Sequence, residues 1–157
     1  MTSHAFARTG AWLLRSRHLV RAPIWIYRAR AGALFGSRTL MLEHIGRKTG
    51  RPRYVVLEVV DRPAPGSYVV PSGFGRKAQW FRNIEANPHV RVFVGSHAPA
   101  PATARILNPD EVDRVLARYR DRHPRAWQQF KHVLAETLGA PITDTGAPLP
   151  MVELRLD

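Results

Sequence analysis

No cysteine occurs in the 157 residues, so disulfides, thiolate metal sites and cysteine nucleophiles are excluded at once. The same absence fits a reducing cytoplasm. Long apolar runs are missing too, and no stretch approaches the ~18 residues that a membrane span needs. The N-terminus does not read as a signal peptide, because "RTGAWLLRSRHLVR" is broken by arginines before any long apolar segment develops. The expected location is the cytoplasm, with at most attachment to a membrane surface. Acidic residues are scarce, 12 against 24 Lys and Arg. The seven histidines include no HExxH and no partner at metal-ligand spacing, so no metal is expected. A serine nucleophile has no GxSxG elbow to support it.

What is present is basic and unevenly spread. Residues 1–53 hold ten arginines and one lysine against one glutamate, a net +10 of the chain's +12. Such polarity calls for an anionic partner: a phosphorylated or carboxylated small molecule, a nucleic acid or an anionic lipid surface. The length suits one domain spanning residues 1–157, large enough to bury a core. Within it, residues 1–35 read as a basic amphipathic helical segment. Trp12, Leu13 and Leu14, then Ile24 to Tyr27, form apolar clusters between arginines, and Pro23 suits the first turn of a second helix. Such a segment either packs on the domain or lies on an anionic membrane surface.

From residue 38 the period changes to that of strands. "TLMLEHIG" and "RYVVLEVVD" are β-rich runs joined by a basic turn. "YVVPS" is a further short strand, and "RKAQWFRNIEAN" reads as a helix closed by Asn87-Pro88. "HVRVFVG" alternates as a half-buried strand, and "ATARIL" follows it after a turn. "NPDEVDRVLARYRDRHP" is a helix with Asn108 or Asp110 as cap and Val112, Val115, Leu116 and Tyr119 on one face. "RAWQQFKHVLAETLG" is a second helix ending at Gly139, and "PMVELRL" closes the chain as a strand. Strands joined by short turns, with helices inserted, make an α+β domain built on an antiparallel barrel or sheet.

Two segments carry chemistry. The turn "GRKTGRPR", residues 46–53, places Arg47, Lys48, Arg51 and Arg53 around Gly50, which is free to take a positive φ. It is either a solvated hairpin tip or a cradle for an anion. Planar guanidiniums match phosphate and carboxylate oxygens, and the Thr49 hydroxyl adds a donor. A nucleic-acid interface would interleave aromatics for stacking, and only Tyr54 stands near, so no nucleic-acid partner is expected. "GFGRKA", residues 73–78, matches a dinucleotide fingerprint, but no acidic residue ends the next strand and no βαβ alternation surrounds it. A glycine-rich strand-to-helix junction nevertheless exposes amides suited to an anion or a carbonyl oxygen.

"IGRKTGRPRYVVLEV" followed by "YVVPSGFGRKAQWFRNIEANPHVRVFVG" resembles the deazaflavin-dependent nitroreductase family of the split β-barrel flavin and deazaflavin oxidoreductases. The matching residues are Gly46 to Arg53, then Ser72 and Gly73, then Trp80 to Pro88. The resemblance implies an antiparallel split β-barrel with flanking helices: an N-terminal helical segment, one helix between strands and two before the last strand. It implies coenzyme F420, a deazaflavin with a phosphodiester and a glutamate tail, with FMN as the alternative. By position, Arg47, Lys48, Thr49, Gly50, Arg51 and Arg53 would bind the phosphate and glutamates. Val55, Val56, Leu57, Ser72, Gly73 and Phe74 would lie along the tricycle, Ser72 also orienting cofactor or acceptor through its hydroxyl. Trp80 and Asn83 would close the site, with a core role for Trp80 as the alternative. The implied reaction is hydride transfer to a small electrophilic acceptor: an enone, a quinone or a nitro compound. Where the nitroreductase carries pocket tyrosines, this chain offers His123, Trp127 and Phe130. A non-catalytic module binding an anionic cofactor or lipid is the rival reading. Glu58, amid "VVLEVV", is unusual inside a strand; it either meets a buried arginine or sits on an exposed edge.

Overall fold

The computed structural model describes residues 38–142, 146 and 148–157. The N-terminal helical segment expected over 1–35 lies outside these residues. Among the described residues, six strands build one antiparallel sheet: β1 (Thr39–Ile45), β2 (Pro52–Glu58), β3 (Ser67–Pro71), β4 (His89–Phe93), β5 (Ala100–Ile106) and β6 (Met151–Leu156). Helix α1 (Gln79–Ala86) stands between β3 and β4, and α2 (Pro109–Arg122) and α3 (Pro124–Leu138) precede β6. The sheet order is β2-β1-β4-β5-β6-β3, so both strands of the basic hairpin lie toward one edge.

The sheet curls because one strand segment serves both of its ends. The Val59 amide donates to the Arg38 carbonyl at 2.7 Å, still beside β1. One residue later, the Val60 amide donates to Val69 of β3 at 2.9 Å, and Val69 in turn donates to Asp61. The extended run "RYVVLEVVD" is thus a strand to Glu58 and a seam beyond it, joining the two edges of the sheet. Buried Asp61 is held there by Arg118 of α2 at 2.6 Å, with Arg122 at 3.8 Å. This is the split barrel expected from the resemblance.

Strand periodicity separates two cores. Leu40 and Leu42 of β1 face the interior with Leu57, Val70, Val90, Val92 and α1's Trp80, Phe81 and Ile84. Met41 faces the other side with Phe93, Tyr54 and Val56. β1 is buried on both faces from Leu40 to His44, taking the polar Glu43 and His44 in with its apolar residues. A further cluster joins Val60, Val69 and Met151 to α2 and α3 through Val112, Val115, Leu116, Tyr119, Trp127 and Leu134. Helix α2 begins on a complete capping box: the Asn108 side chain accepts from the Glu111 amide at 2.9 Å, and Glu111 accepts from the Asn108 amide at 3.1 Å.

One element departs from expectation. The helix read from Arg76 to Asn87 is split into a single 3-10 turn, Gly75–Lys77, and α1 from Gln79. Ala78 between them is extended, with ψ 134°. The cause is the preceding turn: Gly75 has φ +76°, and the Ser72 hydroxyl donates to its carbonyl at 2.6 Å, so the chain must realign before α1 can start.

Candidate functional site

The basic turn is a tight loop whose glycines have separate jobs. The Gly50 amide donates to the Gly46 carbonyl at 2.8 Å, and Gly50 takes φ +68°. Gly46 is required by closeness instead, since a Cβ there would stand 2.8 Å from the Thr49 Oγ1. The Thr49 oxygen accepts from the Arg51 amide at 3.2 Å and so stiffens the tip. Lys48, Arg51 and Arg53 are exposed, and no carboxylate among the described residues pairs with them. Three cations are thereby presented to solvent on a braced loop.

Arg47 is different. Its backbone amide and Nη1 both donate to the Asn83 Oδ1, at 3.1 and 2.9 Å, and its Nη2 donates to the Gln79 Oε1 at 3.0 Å. Asn83 is buried and also donates from Nδ2 to the His44 Nδ1 at 3.0 Å. Because the Asn83 oxygen is committed to Arg47, its Nδ2 is the donor, and His44 must be the neutral tautomer with its proton on Nε2. Burial, followed by the positive charge of Arg53 opposite it in the ladder, lowers the His44 pKa to about 4. A chain of side chains from β1 through α1 thus fixes where the turn begins. The guanidinium of Arg47 keeps further N–H donors beyond the two it uses here.

The glycine-rich junction lies beside α1. Ser72 is fully buried, its amide donating to the Pro150 carbonyl at 2.8 Å. Gly73 accepts from the Thr137 hydroxyl of α3, which ties the loop to the helical layer. Among the described residues, Phe74 of this loop is the exposed large apolar side chain. Trp80 sits in the interior core, edge-on to Phe81. Asn83 lies beneath the turn, bonded to Arg47.

At the far end of β2 the three expected pocket residues meet. Tyr119 stands at ring-centroid distances of 5.4 Å from His123, 6.5 Å from Trp127 and 5.5 Å from Phe130. Trp127 is buried, Phe130 half-buried and His123 exposed. The Tyr119 hydroxyl donates to the Glu58 Oε1 at 3.4 Å. Burial pushes the Glu58 carboxyl above its ordinary pKa, against the opposing effects of Tyr119, Arg38 and His123. Burial, followed by the nearby Glu58 charge, pushes the Tyr119 phenol up to about 12. Glu58 therefore meets a tyrosine on an edge strand, instead of the buried arginine offered as one alternative. Sequence reasoning placed Tyr119 only on an apolar helix face. The signal that could have found its role was the polar residue in "VVLEVV", which needs a partner wherever the strand packs.

The chain as a whole is similar to known proteins. A family model for the F420H(2)-dependent quinone reductases matches residues 19–143. A Mycobacterium tuberculosis protein bearing the name F420H(2)-dependent quinone reductase Rv3178 is 35% identical over 83 residues, covering 51% of this chain and 67% of that one. Among solved structures, an F420-H2 dependent reductase (FDR-A) shares the fold with a TM-score of 0.52 at 24% identity, covering 75% of this chain and 94% of that one. A pyridoxamine 5'-phosphate oxidase-like protein from Listeria innocua has a TM-score of 0.53 at 10% identity, covering 84% and 94%. The chain belongs to the F420H(2)-dependent quinone reductase family, and is an oxidoreductase whose cofactor is F420.

Proposed function

We propose that this chain reduces a quinone-class acceptor, with the basic turn holding the coenzyme's anionic tail and the Tyr119 end of the site receiving the acceptor. The observation that carries the reading is the arrangement along β2. Exposed Lys48, Arg51 and Arg53 crowd one end and the Glu58–Tyr119 aromatic cluster closes the other. Arg53 and Glu58 stand five positions apart, about 17 Å at strand rise, a length suited to one extended cofactor. The residues fit that group. The free cations match a phosphodiester and carboxylates, and β2 is an edge strand with no strand beyond it among the described residues. Its outer edge therefore leaves backbone N–H and C=O groups for a planar ring with donor and acceptor edges.

When bound, the reduced deazaflavin supplies the hydride, and the protein supplies position and electrostatics. Lys48, Arg51 and Arg53 neutralise the tail, and Arg47 contributes its remaining N–H groups from a fixed base. Val55, Val56 and Leu57 flank the ring through the strand backbone, and Gly73 and Phe74 cover it from the junction loop. Ser72 holds the turn of that loop through the Gly75 carbonyl, which makes it a positioning residue. Tyr119, His123, Trp127 and Phe130 exclude water from the acceptor side. The basic residues 1–30 we assign to an anionic membrane surface, where apolar quinones dissolve. Liposome flotation with and without residues 1–30 tests that assignment, and equal flotation would retire it.

Titration of intrinsic fluorescence with F420 and FMN, followed by oxidation of reduced F420 by a short-chain quinone, tests the main reading. Submicromolar F420 binding with quinone-dependent turnover is expected. Binding of neither coenzyme would remove the enzyme reading and leave a non-catalytic module.

A further inference from the structure

Among the described residues the buried carboxylates are answered by cations, and half-buried Glu58 is not. Glu43 faces Arg91 at 3.4 Å, Asp61 faces Arg118 at 2.6 Å, and Glu153 faces Arg155 at 3.1 Å and Arg105 at 3.5 Å. Glu58 has no ion pair within 4 Å among the described residues, in a chain with 24 lysines and arginines. Its hydrogen bond among them comes from the Tyr119 hydroxyl. A half-buried carboxyl with no ion pair within 4 Å among the described residues is costlier as an anion than as an acid. It also stands where the strand proposed to carry the coenzyme ring meets the residues proposed to line the acceptor pocket.

We propose that Glu58 is the proton reservoir of the reduction and that Tyr119 passes its proton to the acceptor. This rests on the quinone-reductase reading above. The quinone gains two electrons with the hydride, and an O–H bond then forms at its carbonyl oxygen as the Tyr119 O–H bond breaks. The Tyr119 O–H bond is renewed as the Glu58 O–H bond breaks, and the Glu58 carboxylate takes a proton back from water. The two electrons would come from the bound coenzyme, whose other hydrogen would leave to water as a proton, so the solvent would gain and lose one proton per turnover.

The electrostatics agree. Facing Glu58 are Tyr119 from α2, Arg38 at the start of β1 and His123 at the α2–α3 junction. Burial outweighs all three and favours the acid form. Tyr119, raised to about 12, stays protonated through the working range and is suited to relay a proton without ionising. Activity should therefore fall as pH rises through the Glu58 pKa.

The test uses Glu58→Gln, which keeps a side chain for Tyr119 but carries no acidic proton, with Tyr119→Phe beside it. Coenzyme binding is measured first on the natural protein by fluorescence quenching. Failure there sinks the quinone-reductase reading, and this proposal with it, before any variant is made. With binding in hand, Glu58→Gln should bind F420 within about twofold of the natural protein yet lose roughly 100-fold in kcat. Its kcat should no longer decline at alkaline pH, and Glu58→Asp should restore part of both. A second readout needs no coenzyme: infrared difference titration of the apoprotein. A protonated-carboxyl band should persist above the pH where ordinary glutamates ionise, vanish in Glu58→Gln, and persist to higher pH in Tyr119→Phe, which removes a bond favouring the anion. Natural kcat and pH profile in Glu58→Gln would overturn the proposal. So would lost coenzyme binding in that variant, which would make Glu58 a binding residue, or a carboxyl band that titrates normally.

Discussion

His44 offers the sharpest stability measurement, because its environment is specified on every side. The ring is buried at the end of β1, its Nδ1 accepts from Asn83 and Arg53 lies opposite, so the folded protein keeps it neutral down to about pH 4. In the unfolded chain it takes a proton near pH 6.5. Between those values the unfolded state binds the extra proton, so acid draws the equilibrium toward unfolding. The linkage is worth roughly 3 kcal/mol by pH 4 and close to nothing above pH 7.5. His44→Asn places an amide oxygen near the Nδ1 position, keeping an acceptor for Asn83 while removing the titration. Its packing cost is a constant offset. Urea unfolding of both proteins at several pH values between 4 and 7.5 isolates the term as the change in their difference. The natural protein should lose roughly 3 kcal/mol relative to His44→Asn across that range. A difference that stays flat would refute the buried neutral imidazole and the side-chain chain built on it.

Three further outcomes follow from local geometry. Asn108→Ala should cost about 1 kcal/mol in thermal or urea unfolding, since it removes the acceptor for the Glu111 amide from an otherwise complete capping box. Arg118→Ala should cost roughly 2 kcal/mol, below the value for a fully buried pair because Arg118 is partly exposed while Asp61 is not; Arg118→Lys should recover part of it. Gly46→Ala should destabilise by about 1 kcal/mol through its clash with the Thr49 hydroxyl, and adding Thr49→Ala should return most of that loss. Additive costs in that double variant would show that the clash is not the cause.

The features legible in the sequence are those whose causes are local. The hairpin at Gly46–Arg53, the positive φ of Gly50 and the cap at Asn108 follow from residues a few positions apart. The barrel seam did not, because the run "RYVVLEVVD" gives no sign that hydrogen bonding passes from β1 at Val59 to β3 at Val60. That switch depends on a partner strand and on Arg118, 57 residues beyond Asp61. The break at Ala78 was hidden for the same reason: helix propensity favours a continuous helix, and the Ser72–Gly75 bond overrides it. In the site, the motif located Asn83 without disclosing that both ends of its amide are spent on Arg47 and His44. The aromatic residues of α3 were legible as a group, whereas their meeting with Glu58 through Tyr119 needed the fold.

Binding of the coenzyme's anionic tail by the basic turn is the step on which the proposed function depends. Lys48→Ala combined with Arg53→Ala tests it most directly, because both side chains are exposed and neither belongs to the Arg47–Asn83–His44 chain. Two lost charge-assisted contacts of about 1.5 kcal/mol each should weaken F420 binding roughly 100-fold by fluorescence titration. Unfolding free energy should change by less than about 0.5 kcal/mol. An unchanged dissociation constant would mean that the turn is only a solvated hairpin tip.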